Sequence, residues 1–409
     1  PNDPIAFETA RSVKDLNPKP LPFYRGLHVS TVNNEAEARW LPWHAALHGM
    51  NALWVDTREI SANTGNLSAM ASAVTDLKYG LGAVLRDARR PPAPVAIVYS
   101  QASRYLCAAN PELSDTDAAM RDVMYVLDRR GYAHDVVSCE EPALPDLKPY
   151  RMLLLPGVEA LSDVACKAIR EFQESGGHVW ANVVPGRYDD GGARRGNPLD
   201  FVPCASDLET CLSEAPEMPP IACVSCGGTN RIDGEAYRFD YGSATIHALL
   251  RAPDAANPPL SKWILSLEKD VVAYDAVRGR RLPHSRNIEV KLAPGAVFVA
   301  SALPYVVTNL RVNTLRSIES GRRLPVGVTV ETDGLPPDRH VVHLSILRNQ
   351  TQRLAYYDRV IECPKGQGSA YVPLALDEQA GSYALEARDA LTGVSARILF
   401  QVERRPSIG

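Results

Sequence analysis

Past Val271 the sequence stops reading as helix. Asn287 to Leu292, Val326 to Glu331, Val341 to Leu347, Leu354 to Ile361, Tyr383 to Ala387 and Ala396 to Val402 are short strand-like runs, separated by turns such as Asp333-Gly-Leu-Pro-Pro337. Regular short strands divided by Gly, Pro and Asp predict a β-sandwich. Before that point helical and strand periods alternate, which is the pattern of a parallel α/β fold. The 409 residues therefore read as α/β followed by all-β.

The α/β part divides at Arg86-Asp-Ala-Arg-Arg-Pro-Pro-Ala-Pro94, charged and then proline-rich. Ahead of this linker, Phe23 to Val29 and Asn51 to Val55 read as buried strands. Glu35 to His48 reads as a helix with Trp40, Trp43, Ala46 and Leu47 on one side, and Leu67 to Ala88 as a second helix. Behind the linker, Val95 to Tyr99, Asp135 to Val137, Met152 to Leu155 and His178 to Ala181 read as strands. Asp115 to Arg130 and a segment capped by Ser162 and ended by Gly176-Gly177 read as helices. This is a flavodoxin-like, doubly wound pattern. The expected domains are residues 1–90, 91–265 and 266–409.

Composition removes several classes of function. Lys and Arg number 44 against 48 Asp and Glu, a net charge of −4, without the basic stripe of a nucleic-acid binder. The longest nearly unbroken apolar run, Gly295 to Val307, has 13 residues and contains Pro304, whereas a membrane span needs roughly 20. No nucleic acid and no membrane are expected as partners. No secretory signal opens the chain, and a start at Pro1 without methionine leads us to expect a processed product or a fragment. The compartment stays open between a soluble cytoplasmic and an exported bacterial protein.

Eight cysteines are too sparse for a disulfide scaffold. Cys223-Val-Ser-Cys226 is one half of a four-thiolate zinc pattern, but six residues separate Cys204 and Cys211. Ordinary thiols or a loop disulfide are the preferred reading, and no metal is expected. The turn Ser100-Gln-Ala-Ser-Arg104 lacks the glycines that let backbone amides approach a phosphate, so no nucleotide or other cofactor is expected. Pro156-Gly-Val-Glu-Ala160 carries no thiol where class I amidotransferases hold their nucleophile, which makes the middle domain non-catalytic.

Tyr24, His28, Trp43, His44, Trp54, Asp56 and Arg58 are the more suggestive group. Strand ends of a parallel barrel face an active site, and indole rings beside carboxylates suit sugar faces. Taken one by one, Trp43 and Trp54 are better read as packing between helix and sheet.

The order of motifs resembles glycoside hydrolase family 42 β-galactosidases. Ala45-Ala-Leu-His-Gly-Met-Asn-Ala-Leu-Trp54 is similar to the segment entering their last barrel strand. Leu77 to Ala88 followed by Pro94-Val-Ala-Ile-Val-Tyr-Ser100 is similar to their passage from barrel to trimerisation domain. Leu153-Leu-Leu-Pro-Gly157, Leu161-Ser-Asp163 and Glu174-Ser-Gly-Gly-His-Val179 resemble that domain's core, so the likeness covers residues 20–185. Pro373-Leu-Ala-Leu376 and Gly381 to Gly393 look like β-sandwich domains appended to large bacterial glycosidases.

The resemblance implies the last two units of a (β/α)8 barrel, an amidotransferase-like trimerisation domain and a β-sandwich tail. A whole barrel takes about 250 residues, and only about 90 precede the linker. Retaining enzymes of this type use an acid/base and a nucleophile about 5 Å apart. The acid/base would lie on an earlier strand. The nucleophile would end the strand read here as Pro22 to His28, which holds no carboxylate, leaving Glu35 and Glu37 as catalytic candidates. Tyr24, His28, Trp43, Trp54, Asp56 and Arg58 would bind the sugar.

The reading that follows is the C-terminal portion of a β-galactosidase-like hydrolase, inactive alone and acting on a carbohydrate substrate when its barrel is complete. The alternative is a non-catalytic carbohydrate-binding or oligomerisation scaffold, and a redox or nucleotide enzyme ranks last. The helix carrying Leu67, Met70, Val74 and Leu77 would leave an apolar patch on isolated β/α units. The expected partners are therefore the missing barrel portion or other protomers, as in a homotrimer.

Overall fold

The computed structural model describes residues 24–28, 32–50, 52–56, 63–140, 146–200, 202, 204, 207–214, 223–226, 232–254, 259–267 and 271–404, with the backbone alone for 24–28, 52–56 and 223–226. Two compact units emerge, one from Pro1–Leu27, Ala52–Val55 and Pro91–Ala236, the other from His28–Asn51, Asp56–Arg90 and Tyr237–Gly409. The strands Tyr24–His28 and Ala52–Asp56 fall where the apolar runs placed them and pair as a two-stranded sheet.

In the first unit, Val95–Tyr99 lies between His134–Ser138 and Met152–Leu155, with His178–Ala181 outside the latter. All three pairings are parallel. Side chains alternate between the faces of a strand, and the two cores show it. Val95, Ile97, Val136, Met152 and Leu154 share one with Met120, Val123, Met124 and Leu127 of the helix Thr116–Arg130. Ala96, Val98, Val137, Leu153 and Leu155 share the other with Ala165, Ile169 and Phe172 of the helix Asp163–Glu174. Three layers result, a sheet with a helix on each face.

The helix starts follow the sequence. Asp115 accepts from Ala118 N at 3.0 Å and Ser162 from Ala165 N at 3.1 Å, each satisfying a donor that the first turn leaves open. The helix Gln101–Ala109 has no counterpart in the sequence reading; Ser100 caps it.

The second unit holds the helices Glu35–Leu47, Thr64–Asp76 and Gly82–Asp87. The single helix expected over Leu67 to Ala88 is interrupted by a π-turn, Leu77–Leu81, where Gly80 takes φ 118°. Strands begin with Gly234–Tyr241 and Ala244–Arg251, well before Val271. They join Val297–Leu303, Val272–Asp275 and Arg280–Arg281 in one five-stranded sheet. The expected boundary at residue 265 therefore cuts through that sheet. Ala244–Arg251 hid it, because a strand buried on both faces loses the two-residue alternation that marks a strand.

The tail is a sandwich, as its turns predict. Arg323–Asp333 pairs with Val306–Thr314 and Gln367–Pro373. The facing sheet runs Ser317–Glu319, Ser395–Glu403, Gly381–Asp389, His340–Arg348, and the last of these also pairs with Gln352–Arg353 and Arg359–Cys363. One core runs through the unit, from Trp43, Leu47 and Val84 through Ile246, Ala248 and Val299 to Leu344, Leu385 and Phe400. On the second helix Met70 is buried, whereas Leu67 and Val74 stay 43% and 39% exposed. Among the described residues no helix is long and apolar enough to cross a membrane.

His247, on the buried strand Ala244–Arg251, keeps an Nδ1 without a hydrogen-bond partner. Burial, with Arg238 adding to it, lowers its pKa from 6.5 to about 4. The native ring is neutral and the unfolded one takes a proton near 6.5. Its contribution is complete above that pH and is lost as the pH falls toward 4, by roughly 3 kcal/mol at 1.36 kcal/mol per unit. His247→Leu should lose less melting temperature than the parent on acidification from about pH 7 to 4.5; equal losses would refute this account.

Candidate functional site

Both candidate glutamates stand in the first turn of Glu35–Leu47, a favourable place for a carboxylate at a helix N-terminus. Asn34 caps the helix by accepting from Glu37 N at 2.9 Å. Glu37 returns the contact one residue earlier: its Oε2 accepts from Asn33 N at 2.8 Å and from Asn33 Nδ2 at 2.9 Å. That is a capping box displaced by one position. Glu35 is exposed, and its carboxylate closes on the start of the next helix, where a Cβ on Gly65 would stand 2.5 Å from Glu35 Oε1. Residues two apart on a helix do not face each other. The two glutamates thus point apart and do not form a carboxylate pair.

The aromatic candidates separate. Trp43 is 1% exposed inside the shared core, which leaves no indole face for a sugar; packing claims it. Tyr24, His28, Trp54 and Asp56 lie on the paired strands, where the backbone alone is described. Arg58 lies outside the described residues.

A stack that the residue types alone did not single out runs along the same helix. Trp40 stacks on His44 at 4.0 Å, His44 meets His48 at 4.1 Å, and His48 meets Tyr237 edge-on at 5.5 Å. The Arg90 guanidinium lies 5.3 Å from the Tyr237 ring centre. The signal was the four-residue spacing of Trp40, His44 and His48, which puts them on one helical face. Both imidazoles are buried.

The C-terminal edge of the parallel sheet is where open α/β sheets bind ligands. Here the chain's own groups occupy it. Ser100 and Ser103 hydroxyls donate to Ala160 O at 2.8 and 3.0 Å, and Thr116 donates to Gly157 O at 3.1 Å. Gly157 N donates to Asn182 Oδ1 at 2.7 Å. The Glu140 carboxylate takes Gln101 N at 2.5 Å, at the helix terminus a phosphate would use, and accepts from Ser138 Oγ at 2.7 Å.

Two buried polar networks in the sandwich look chemical but are bonded within themselves. Tyr305 OH, His340 and Asp389 line up at 3.1 and 3.0 Å, and Thr392 donates twice to Asp389. Glu378 accepts from Tyr357, Tyr383 and Arg348. Burial would raise its pKa, yet these bonds hold it below the usual carboxylate value. His340 and Asp389 are fully buried, so neither network offers a reacting atom.

Among the described residues, no three His, Cys, Asp or Glu ligand atoms inside one unit gather closely enough to hold a metal ion. Cys204 is an exposed free thiol, Cys211 lies half-buried on the helix Leu208–Glu214, and the side chains of Cys223 and Cys226 lie outside the described residues.

No protein-family model matches the sequence, and no curated protein is a significant match. Solved structures do match. A catalytic mutant of a GH42 β-galactosidase from G. stearothermophilus is 12% identical, with a TM-score of 0.51 over 66% of this chain and 51% of its own. The apo exo-carrageenase GH42 from Bacteroides ovatus is 14% identical with a TM-score of 0.48, over 67% of this chain and 39% of its own. A β-galactosidase from Rahnella sp. R3 is 14% identical with a TM-score of 0.47, over 66% and 51%. The chain thus spans about half the length of these proteins, or less. The likeness is one of fold, and the fold is GH42-like.

The cap geometry gives a direct test. Glu37→Ala should cost about 1 kcal/mol of stability, and Glu37→Gln, whose amide oxygen still accepts from Asn33, clearly less. Chemical denaturation measures both, and equal costs would remove the capping role.

Proposed function

We propose that this chain is the C-terminal portion of a GH42-related glycoside hydrolase, which cleaves a β-linked sugar once its barrel is complete. The observation that carries the reading is the GH42-like fold over two thirds of the chain. In this reading residues 1–90 are the last two barrel units, the parallel sheet is the core of a flavodoxin-like, amidotransferase-like trimerisation domain, and the remainder is β-sandwich. The partners are the missing barrel portion, further copies of the chain and a carbohydrate. Exposed Leu67 and Val74 on the second helix are the natural contact for such a partner.

Catalysis by this route needs a nucleophile on one face of the sugar ring and an acid on the other. Glu35 is the better nucleophile candidate, because Glu37 is committed to Asn33. Tyr24, His28, Trp54, Asp56 and Arg58 would form one wall of the sugar site. The acid/base would come from the missing portion.

The scaffold reading is favoured by one specific observation: the ligand-binding edge of the parallel sheet is filled by Ser100, Ser103, Thr116, Asn182 and Glu140. In that case the chain contributes assembly and sugar contacts without turnover.

Assays of aryl β-galactosides separate the two. The isolated chain should show no turnover, since leaving-group protonation alone is worth about 10² to 10⁴-fold. With the missing barrel portion supplied, hydrolysis should appear, fall at least a hundredfold in Glu35→Gln and survive Glu37→Gln. Hydrolysis by the isolated chain that neither substitution removes would overturn the assignment. No hydrolysis with the barrel complete would favour the scaffold. Sedimentation should show an oligomer, and a well-behaved monomer without a partner would count against the assembly proposed.

A further inference from the structure

The π-turn Leu77–Leu81 lies against His340–Arg348 and the end of Gly381–Asp389. Gly80 comes so close that an added Cβ would stand 2.7 Å from Ala390 Cβ and 3.2 Å from Val341 Cγ1. One residue earlier, the Tyr79 ring sits 4.6 Å from the His343 ring, tilted by 40°. The Arg353 guanidinium lies 4.4 Å from the Tyr79 ring centre and donates to its hydroxyl. Asp358 accepts from Arg353 at 2.6 and 3.4 Å. Its Oδ2 is 3.7 Å from His343 Nε2, beyond hydrogen-bond distance. His343 Nε2 is buried with no hydrogen-bond partner.

The charges around this ring come from four elements. Arg388 is its cross-strand partner on Gly381–Asp389, Arg353 ends the strand Gln352–Arg353, Lys78 belongs to the π-turn, and Asp358 precedes Arg359–Cys363. Asp76, at the end of the second helix, faces Arg388. His343 thus meets three cations and one carboxylate, and Arg353 already holds that carboxylate.

We propose that the Tyr79–His343 contact is an acid-operated latch, which holds the π-turn on the sheet while the imidazole is neutral and releases it when the imidazole takes a proton. A proton on the seated ring adds a fourth cation where no acceptor receives the new N–H. Once the turn lifts, water reaches the ring and screens that charge. The turn already breaks the helix, since Tyr79 and Gly80 have left helical dihedrals, and π-bulges are frequent at functional sites. Burial lowers the seated pKa to about 4; Asp358, the strongest of the neighbouring charges, pulls the other way, and Arg353, Arg388 and Lys78 add to the effect of burial. The released ring titrates near 6.5. The latch is therefore closed above that pH and opens progressively below it, with an open population on the order of fifty-fold larger at pH 4.5 than at pH 7.

Amide hydrogen exchange on the full chain, corrected for intrinsic rates, reads this directly. Protection across residues 77–85 should fall by tens of fold on acidification in the parent and stay nearly flat in His343→Gln, which retains His247. Equal acid-induced loss in both, or none in the parent, overturns the latch. A second measurement needs no variant: exchange of the imidazole C2 hydrogen reports the titration of His343 in the parent. A midpoint well below the ordinary histidine value, coinciding with loss of protection in the turn, supports the latch, and a midpoint near 6.5 overturns it.

Discussion

The strands Ala244–Arg251 and Val297–Leu303 are buried on both faces, and much of the second unit follows from that constraint. A sheet with no solvated face needs a cover on each side. The face that carries Ile246, Ala248 and Val299 shares its core with Trp43 and Leu47 of the first helix. Removing a buried Trp side chain costs about 3–5 kcal/mol. Such an anchor sets the position of Glu35–Leu47, and with it the first turn that holds both candidate glutamates.

That anchoring explains how the candidate residues divide between structure and chemistry. Helix geometry turns Glu35 and Glu37 away from each other, and Asn33 claims one of them. Core packing claims Trp43. The Trp40–His44–His48 stack, with both imidazoles buried, runs along the same helix toward Tyr237, again inside the second unit.

The parallel-sheet unit obeys a similar economy of polar groups. An open parallel sheet leaves backbone groups at its C-terminal edge, and many proteins satisfy them with a ligand. Here two serines, a threonine, an asparagine and a glutamate satisfy them internally. The fold is retained while the site it usually offers is filled, which illustrates why fold alone does not assign function.

Local signals were legible in the sequence. Asp115 and Ser162 announced helix starts, and the apolar tetrads Val95–Val98 and Met152–Leu155 announced buried parallel strands. The strand-like run Asn287–Leu292 announced a strand, which the structure shows with alternate side chains buried. Each of these depends on a residue's nearest neighbours along the chain, which the sequence carries in full. The π-turn at Leu77–Leu81, the seat of Gly80 on Ala390 and the meeting of Tyr79 with His343 depend on a strand more than two hundred residues away. The burial of His247 beside Val297–Leu303 and the capture of Trp43 by the core are likewise set by partners distant in the chain. Periodicity says which side of a helix or strand is apolar, but not which distant surface will cover it. Only the tertiary structure decided that choice, because burial and charge neighbours are properties of the assembled core.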